Sequence, residues 1–215
     1  MTLEHVELLV EEQSMEAALR LLLPKLLGDL SFEIYPHQCK DELLIRLPQR
    51  LRGYGQRRKS DAWFRESCRI VVLIDRDDDD CAKLKRRLEK IAHDSGLATR
   101  SRAKGGAYMV VNRLAIEELE AWYFGDWGAV QAAYPRASAT IPAQAKYRRP
   151  DEIAGGTWEA FERVLQKSGY YSGGLRKVEA ARSVATHMQP SRNTSPSFRV
   201  FRDVLLEMAS PGMND

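Results

Sequence analysis

One stretch constrains the fold of this chain more than any other: an apolar run followed at once by a run of aspartates. Residues 70–74 are Ile-Val-Val-Leu-Ile, and five of the next six residues, 75–80, are aspartates. The apolar run shows no alternation with polar residues. Such a run is typical of a parallel strand whose two faces are both covered by helices. The sequence therefore predicts an α/β fold, with a strand that ends at Asp75.

Asp75 and Asp77 lie at the end of this predicted strand, with one residue between them. Residues two apart in extended backbone point to the same side, and sites in open α/β sheets lie beyond the carboxyl ends of the strands. Two carboxylates on one side suit a divalent cation such as Mg²⁺, which prefers oxygen ligands. The alternative is acidic residues at a helix start, where free N–H groups and the helix dipole favour them. We favour this structural role for Asp78, Asp79 and Asp80.

Glu11 follows a second predicted strand in the same way. Residues 5–10 are apolar in their centre and lead into Glu11. An apolar helix follows, and Ser14 is its predicted N-cap. We expect Glu11 to share a pocket with Asp75 and Asp77 at the carboxyl edge of the sheet.

A third predicted strand, residues 108–116 with a bend, also leads into acidic residues. Glu118 and Glu120 follow it and precede an aromatic helix. Charge at a helix N-terminus is again the structural explanation. Acidic residues at all three of the best-defined strand-to-helix junctions favour a functional one.

The remaining sequence predicts one further strand and several helices. The strand covers residues 32–35, and the predicted helices cover residues 41–51, 63–67, 81–94, 158–166, 177–188 and 198–208. Two basic segments, residues 52–60 and 100–106, contain glycine and are predicted to be loops. Because the composition changes near Pro135, we expect an α/β core over residues 1–134. An irregular linker and a helical C-terminal extension packed on the core would follow over residues 135–215.

The composition is that of an ordinary globular protein. The chain has 215 residues, of which 44% are hydrophobic and 29% charged, enough for one domain of usual size. The sequence has no apolar run of membrane-spanning length and no secretory signal, which predicts a cytoplasmic protein. Its three cysteines and four histidines form no metal motif, and the odd number of cysteines argues against a disulfide scaffold.

The distribution of charge is more informative than the net charge of +3. Acidic residues gather at 75–80 and 117–120, whereas basic clusters lie at 50–59, 100–104 and 146–149. A cationic rim around an anionic pocket suits a metal-dependent enzyme that acts on phosphodiesters, because the rim binds the backbone and the pocket holds the ion. Chance clustering of surface lysines and arginines is the alternative.

The acidic motifs resemble those of the TOPRIM domain, the metal-binding fold of topoisomerases, DnaG-type primases and OLD-family nucleases. In that family a glutamate follows the first strand and an Asp-x-Asp pair follows a later one, as Glu11 and Asp75-Arg76-Asp77 do here. The family's Val-Glu-Gly is Val-Glu-Glu in this chain, with Glu12 in place of the glycine. Residues 118–120, Glu-Leu-Glu, are similar to a further acidic element of OLD-type nucleases.

A closer similarity is to a bacterial family of TOPRIM-like proteins, some of them encoded beside an AAA-type ATPase in loci that resemble phage-defence systems. The segments that carry it are residues 71–77, 113–126 and 177–201. The resemblance covers most of the chain and implies a small, mainly parallel TOPRIM-like sheet flanked by helices.

The resemblance implies cleavage of nucleic acid that depends on Mg²⁺ or Mn²⁺. Glu11, Asp75 and Asp77 would bind the ion, while Glu118 and Glu120 would complete a second ion site or orient water. The sequence does not distinguish DNA from RNA as the substrate, and it leaves the oligomeric state open.

Lys177, Arg182 and Arg192 are candidate phosphate contacts; the alternative is that they are ordinary surface charges. A different class of function also fits the resemblance, namely a non-catalytic subunit that uses a TOPRIM-like scaffold to dock an AAA-type ATPase. A phosphoacceptor domain like that of response regulators would need a lysine on a late strand, and no lysine is suitably placed.

Overall fold

A computed structural model describes residues 3–103 and 105–210, and in this part of the chain the fold is α/β. Its strands are β1 (His5–Val10), β2 (Ser31–Pro36), β3 (Cys68–Asp75) and β4 (Val110–Ala115). All neighbouring strands are parallel, and their order in the sheet is β2-β1-β3-β4. The predicted α/β fold with a parallel sheet is confirmed.

The central strand β3 is buried on both faces, as its uninterrupted apolar sequence predicts. Val71 and Leu73 belong to one hydrophobic cluster, whereas Ile70, Val72 and Ile74 belong to the cluster on the other face. Neither face of β3 meets water, so neither face requires polar residues.

Helices cover both faces of the sheet. They are α1 (Gln13–Leu27), α2 (Lys40–Ser60), α3 (Ala62–Ser67), α4 (Cys81–Asp94), α5 (Arg100–Ala103), α6 (Glu120–Gly125), α7 (Trp127–Ala133), α8 (Thr157–Lys167), α9 (Lys177–His187) and α10 (Pro196–Ala209). Helices α2, α3 and α4 cover one face, and α1 with α6 to α10 covers the other. Across residues 3–103 and 105–210, no helix has the length and apolar character that crossing a membrane requires.

The helices of the C-terminal third pack directly on the strand-forming part of the chain. Helix α9 lies along α1 and α7, while α10 contacts α1 and β4. The segment between α7 and α8, predicted to be irregular, contains three short 3-10 helices, Ile141–Ala143, Ala145–Tyr147 and Pro150–Glu152. This packing places the start of α9 beside the start of α1.

The predicted loop over residues 52–60 is wrong, because α2 continues to Ser60. Glycine at position 55 serves packing rather than a turn. A Cβ atom on Gly55 would lie 2.2 Å from the carbonyl oxygen of Ser95, just after α4. The glycine therefore permits the close approach of two helices, which a single sequence does not distinguish from a turn.

Three further boundaries differ from prediction. Glu12, not Ser14, is the N-cap of α1, and the Ser14 hydroxyl lies inside the helix, where it donates a hydrogen bond to Glu12. The start of the predicted basic loop over residues 100–106 is helical as α5, and Lys104 lies outside the described residues. The bend predicted near residue 113 is absent from β4, which is one strand in this structure.

Candidate functional site

The carboxyl ends of β1, β3 and β4 meet at one edge of the sheet, where the predicted acidic residues lie. Glu11 follows β1 and Asp75 is the last residue of β3. Glu11 Oε2 accepts a hydrogen bond from the backbone N–H of Asp75 at 2.9 Å. The structure therefore places Glu11 and Asp75 side by side, as the strand-end pattern predicts.

Burial governs the chemistry of both carboxyl groups. Glu11 is 9% exposed and Asp75 is 5% exposed. Burial raises the pKa of Glu11 to about 7, with Asp77 adding to the rise, while the hydrogen bond from Asp75 and the charge of Lys40 oppose it. Burial and the neighbouring Glu11 and Glu120 raise the pKa of Asp75 well above its usual value.

Glu120, at the start of α6, is the third buried carboxyl group of this site and is 1% exposed. Burial raises its pKa to about 7, although the nearby Lys177 opposes the rise. The hydroxyl of Tyr123 is also buried, and burial with the charges of Glu120 and Glu12 raises its pKa. Three acidic side chains and a phenol therefore share one desolvated region.

Three oxygen atoms of this region are buried without a hydrogen-bond partner among the described residues: Asp75 Oδ1, Glu120 Oε2 and the Tyr123 hydroxyl. Buried polar atoms are normally paired, and an unpaired buried carboxylate oxygen is costly. Oxygen donors of this kind fit a divalent cation. In residues 3–103 and 105–210, however, no group of three or more His, Cys, Asp or Glu side chains is arranged so that it could hold a metal ion. Binding an ion would therefore require side-chain rotation.

Asp77 lies near Glu11 and Asp75 but is not buried with them, and its carboxylate pairs with a lysine. Lys40 Nζ lies 2.6 Å from Asp77 Oδ2 and 3.0 Å from Asp79 Oδ2, and it also donates to the Arg76 carbonyl oxygen at 2.9 Å. Asp80 caps α4 by accepting the N–H of Lys83 at 2.7 Å, as its predicted structural role requires. The aspartates of this run thus have different roles. Asp75 belongs to the buried acidic group, Asp77 and Asp79 pair with Lys40, and Asp80 caps α4.

Two non-glycine residues adopt left-handed backbone beside the site. Asp77 has φ 48° and Glu117 has φ 60°. The Asp77 N–H donates to the Glu117 carbonyl oxygen at 2.8 Å, and the Arg76 guanidinium pairs with the Glu117 carboxylate. Such conformations cost about 1–3 kcal/mol each and cluster at functional sites. The loops after β3 and β4 are held together at the edge where the acidic residues gather.

Glu118 is engaged in capping a distant helix. Its Oε2 accepts hydrogen bonds from the backbone N–H groups of Thr157 and Trp158, at 2.9 and 2.8 Å, and from the Thr157 hydroxyl at 3.0 Å. These donors are the unpaired groups at the start of α8, so the carboxylate acts as its cap.

Replacing Glu118 should therefore destabilise the fold without affecting any metal response. We expect Glu118→Ala to lower the free energy of unfolding by about 1–3 kcal/mol, because buried helix-end donors lose their acceptor. Thermal melts with and without Mg²⁺ measure this. Glu152→Ala, which removes only an exposed ion pair with Arg149, is the control. A melting temperature equal to that of the control, or a lost response to Mg²⁺, would contradict the capping role.

Lys177 is a basic residue beside the acidic site. It lies at the start of α9, with its Nζ 3.9 Å from Glu12 Oε1 and 5.2 Å from the centre of the Trp158 ring. Burial opposes its charge, but Glu120, Glu12 and Glu118 outweigh burial and raise its pKa. Lys177 therefore remains a cation at this edge of the sheet.

The other two predicted phosphate contacts have different surroundings. Arg192 Nε lies 2.5 Å from Oδ1 of the buried Asp126, whose Oδ2 also accepts the N–H of Gln189 at 2.8 Å. This ion pair fixes the segment after α9 to the start of α7. Arg182 lies on α9 and is exposed. Arg192 is exposed too, but its guanidinium is held by Asp126.

Sequence reasoning missed three side chains of the site. Glu12 was seen only as a departure from the TOPRIM turn, although it lies beside Lys177. Lys40 could have been found, since it begins the helix after β2 and β2 ends at the same edge. Tyr123 carried no signal, because aromatic residues in a short apolar helix usually belong to the core.

A protein-family model matches most of the chain. The family described as a domain of unknown function, DUF4276, matches residues 10–206. No curated protein and no solved structure matches the chain. The matched range contains every residue of the acidic site.

Proposed function

This chain belongs to the DUF4276 family, and we propose that it is a hydrolase that cleaves nucleic-acid phosphodiesters with Mg²⁺ or Mn²⁺. The observation that carries the proposal is the group of buried carboxyl groups Glu11, Asp75 and Glu120 at one sheet edge. Two of them have oxygen atoms without a partner among the described residues. The resemblance to TOPRIM nucleases supports the same reaction class.

A divalent ion would offset the electrostatic cost of this arrangement. Three buried carboxylates repel one another and lose hydration, and a bound cation removes both penalties. Asp75 and Glu120 would hold the ion through their unpartnered oxygens, and Glu11 would join them by releasing the Asp75 N–H. When bound, such an ion lowers the pKa of a coordinated water and offsets charge on the leaving oxygen.

The chain's own side chains would orient the substrate and move protons. Lys177 Nζ, a partly buried cation beside the acidic residues, would contact a non-bridging phosphate oxygen. In the metal-free protein Glu11 and Glu120, with pKa values near 7, would exchange protons with water at neutral pH. Arg182 would bind the nucleic-acid backbone at a greater distance from the ion. Asp77 would join the ion only after leaving Lys40, and we assign Glu118 and Arg192 to capping and to the Asp126 ion pair.

A cleavage assay tests the proposal. Purified protein would be incubated with end-labelled single- and double-stranded DNA and RNA, with Mg²⁺, Mn²⁺ or a chelator. Metal-dependent cleavage by the parent that is lost in Asp75→Asn supports the proposal. Absence of cleavage of every substrate, both alone and with an AAA-type ATPase partner, would overturn it.

Nucleic-acid binding should be weak and steeply dependent on salt. We expect Lys177 and Arg182 to contact phosphates. The predicted cationic rim is not formed as a whole, because Arg58 and Arg100, from the basic segments 50–59 and 100–104, lie at the opposite, amino edge of the sheet. Each phosphate contact contributes about −0.9 to the slope of log affinity against log salt for duplex DNA. Fluorescence anisotropy at several salt concentrations measures this slope. In Arg182→Gln, which loses one phosphate contact, the slope should be less negative than in the parent by about 0.9.

Lys90→Gln is the matched control for this measurement, because Lys90 is an exposed residue of α4 paired with Asp94. Its salt slope should equal that of the parent. Binding that does not change between low and moderate salt would contradict the phosphate contacts of Lys177 and Arg182.

A non-catalytic role is the alternative, and one observation favours it. Lys40 pairs with Asp77 and Asp79, and Lys177 lies beside Glu12, so lysines already supply positive charge at this edge. The domain would then act as a TOPRIM-like subunit that docks an AAA-type ATPase. Binding to the ATPase that is equally strong in the parent and in Asp75→Asn, with no cleavage by either, would favour this alternative.

A further inference from the structure

A large cavity lies at the opposite, amino edge of the sheet. It has a volume of about 860 Å³ and is bordered by residues at the amino ends of β1, β3 and β4, including Leu3, Arg69 and Met109. Arg69 and Asp75 lie six residues apart on β3, which corresponds to about 20 Å of extended strand. The cavity is therefore separate from the acidic site.

Positive charge exceeds negative charge around this cavity. Its charged lining residues are Arg58, Arg65, Arg69, Arg100, Glu66 and Glu207. Arg65 lies 3.1 Å from Glu66, and Arg100 lies 2.5 Å from Glu207. Among the described residues, neither Arg58 nor Arg69 has a carboxylate within 4.0 Å. Two guanidinium groups of the lining are thus left without an acidic partner in that part of the chain.

Both of these arginines are partly withdrawn from water. Arg58 Nε is buried without a hydrogen-bond partner among the described residues. Arg69 donates to the carbonyl oxygens of Cys68 and Glu66, at 2.7 and 3.3 Å, and burial lowers its pKa. A desolvated cation without a counter-charge is unfavourable, and an anion in the cavity would relieve that cost.

The cavity also offers apolar and aromatic surface. Tyr108, Met109 and Met208 line it, and the Tyr108 ring centre lies 5.5 Å from the Arg69 guanidinium carbon. Small-molecule sites typically measure about 300–1,000 Å³ and combine apolar walls with a few placed polar groups. A concave site of this size fits a small molecule better than a continuous nucleic-acid strand, which needs an open groove.

We propose that this cavity binds a phosphorylated molecule of nucleotide size. Arg58, Arg69 and Arg100 would hold its phosphoryl groups, because a guanidinium group can donate two parallel hydrogen bonds to two oxygens of one phosphate. Tyr108 and Met208 would contact its apolar or aromatic part. Glu207 pairs with Arg100 in the structure and would be displaced as the phosphoryl group arrives.

Calorimetric titration of the full chain with ATP, AMP and inorganic phosphate, without divalent ions, tests this proposal. We expect ATP to bind more tightly than inorganic phosphate, and Arg58→Gln to weaken ATP binding by about 10-fold or more, since it removes charged hydrogen bonds. Glu207→Gln should instead strengthen ATP binding, because Arg100 is freed. Arg87→Gln, an exposed substitution on α4, should change nothing.

A poorly folded variant would lose ATP affinity, so the increase in ATP affinity expected for Glu207→Gln cannot result from misfolding. ATP affinity unchanged in both Arg58→Gln and Glu207→Gln would overturn the proposal, as would equal affinity for ATP and inorganic phosphate or no binding at millimolar concentration. Displacement of ATP by short single-stranded DNA would indicate a nucleic-acid surface instead and would overturn it too. Asp75→Asn should bind ATP like the parent, so failure of the metal site and failure of this cavity are distinguishable.

Discussion

Asp75→Asn should remove the stabilising effect of Mg²⁺ and Mn²⁺ and lower any cleavage of nucleic acid by about 100-fold or more. Changes around metal ligands typically cost about 10- to 100-fold, and a direct ligand should cost at least the upper end of that range. The substitution keeps the shape of the side chain but removes an anionic oxygen donor. Asp75 Oδ1 is one of the buried oxygens without a partner among the described residues.

The stability of the metal-free protein should change in the opposite direction. Burial and the neighbouring carboxylates already disfavour the charged form of Asp75, as the raised pKa indicates. Asparagine resembles the neutral form, so the metal-free variant should melt at the same temperature as the parent or slightly higher. Added Mg²⁺ should raise the melting temperature of the parent more than that of the variant.

Asp78→Asn is the matched control, because Asp78 is an exposed member of the same aspartate run. It should respond to Mg²⁺ as the parent does. Equal metal responses in parent, Asp75→Asn and Asp78→Asn would show that Asp75 binds no ion. A modest loss of stability in Asp75→Asn that divalent ions do not change would point to the helix-start explanation instead.

Glu120→Gln should stabilise the metal-free protein at pH 8 and reduce its dependence on pH. The folded-state pKa of Glu120 is raised from 4.5 to about 7, so the folded chain binds more protons than the unfolded chain between these values. Stability is therefore full below about pH 4.5 and falls as the pH rises through 7. Each unit of pKa difference corresponds to about 1.36 kcal/mol, so the gain on substitution has an upper bound of about 3 kcal/mol.

Denaturant unfolding between pH 5 and pH 8 measures this effect. The parent should lose stability across the range, and a second decrease from Glu11, whose pKa is also about 7, should remain in Glu120→Gln. Glu152→Gln, at an exposed position, should follow the parent. Because Mg²⁺ competes with protons for the carboxylates, metal affinity in the parent should increase as the pH rises. A variant with the same pH profile as the parent would contradict a buried, titrating Glu120.

The strand ends and their acidic residues could be predicted from sequence because they depend on local patterns. The uninterrupted run of residues 70–74 predicts a strand covered on both faces, and parallel strands bring their carboxyl ends to one edge. Glu11 beside Asp75 follows from these two rules. The cap formed by Asp80 depends only on its own helix and was equally predictable.

The individual roles of the charged residues could not be predicted, since each role depends on a partner that is distant in sequence. Glu118 caps a helix whose first residue, Thr157, lies 39 positions away. Arg192 pairs with Asp126, 66 positions away, and Lys40 reaches Asp79 across 39 positions. No local pattern encodes such pairs, because each requires knowing which elements are neighbours in the fold. The length of α2 escaped prediction for the same reason, as Gly55 matters only through its contact with Ser95.

The most direct test of the metal-site proposal is a crystal structure of the protein with Mn²⁺, using anomalous diffraction to locate the ion. The proposal predicts an anomalous peak at the carboxyl edge of the sheet, within about 2.0–2.6 Å of oxygens of Asp75 and Glu120, distances usual for hard cations. Glu11 should have turned from the Asp75 N–H toward the ion. Crystals soaked in Mn²⁺ that show no peak there, with Glu11 still bonded to the Asp75 N–H, would contradict it.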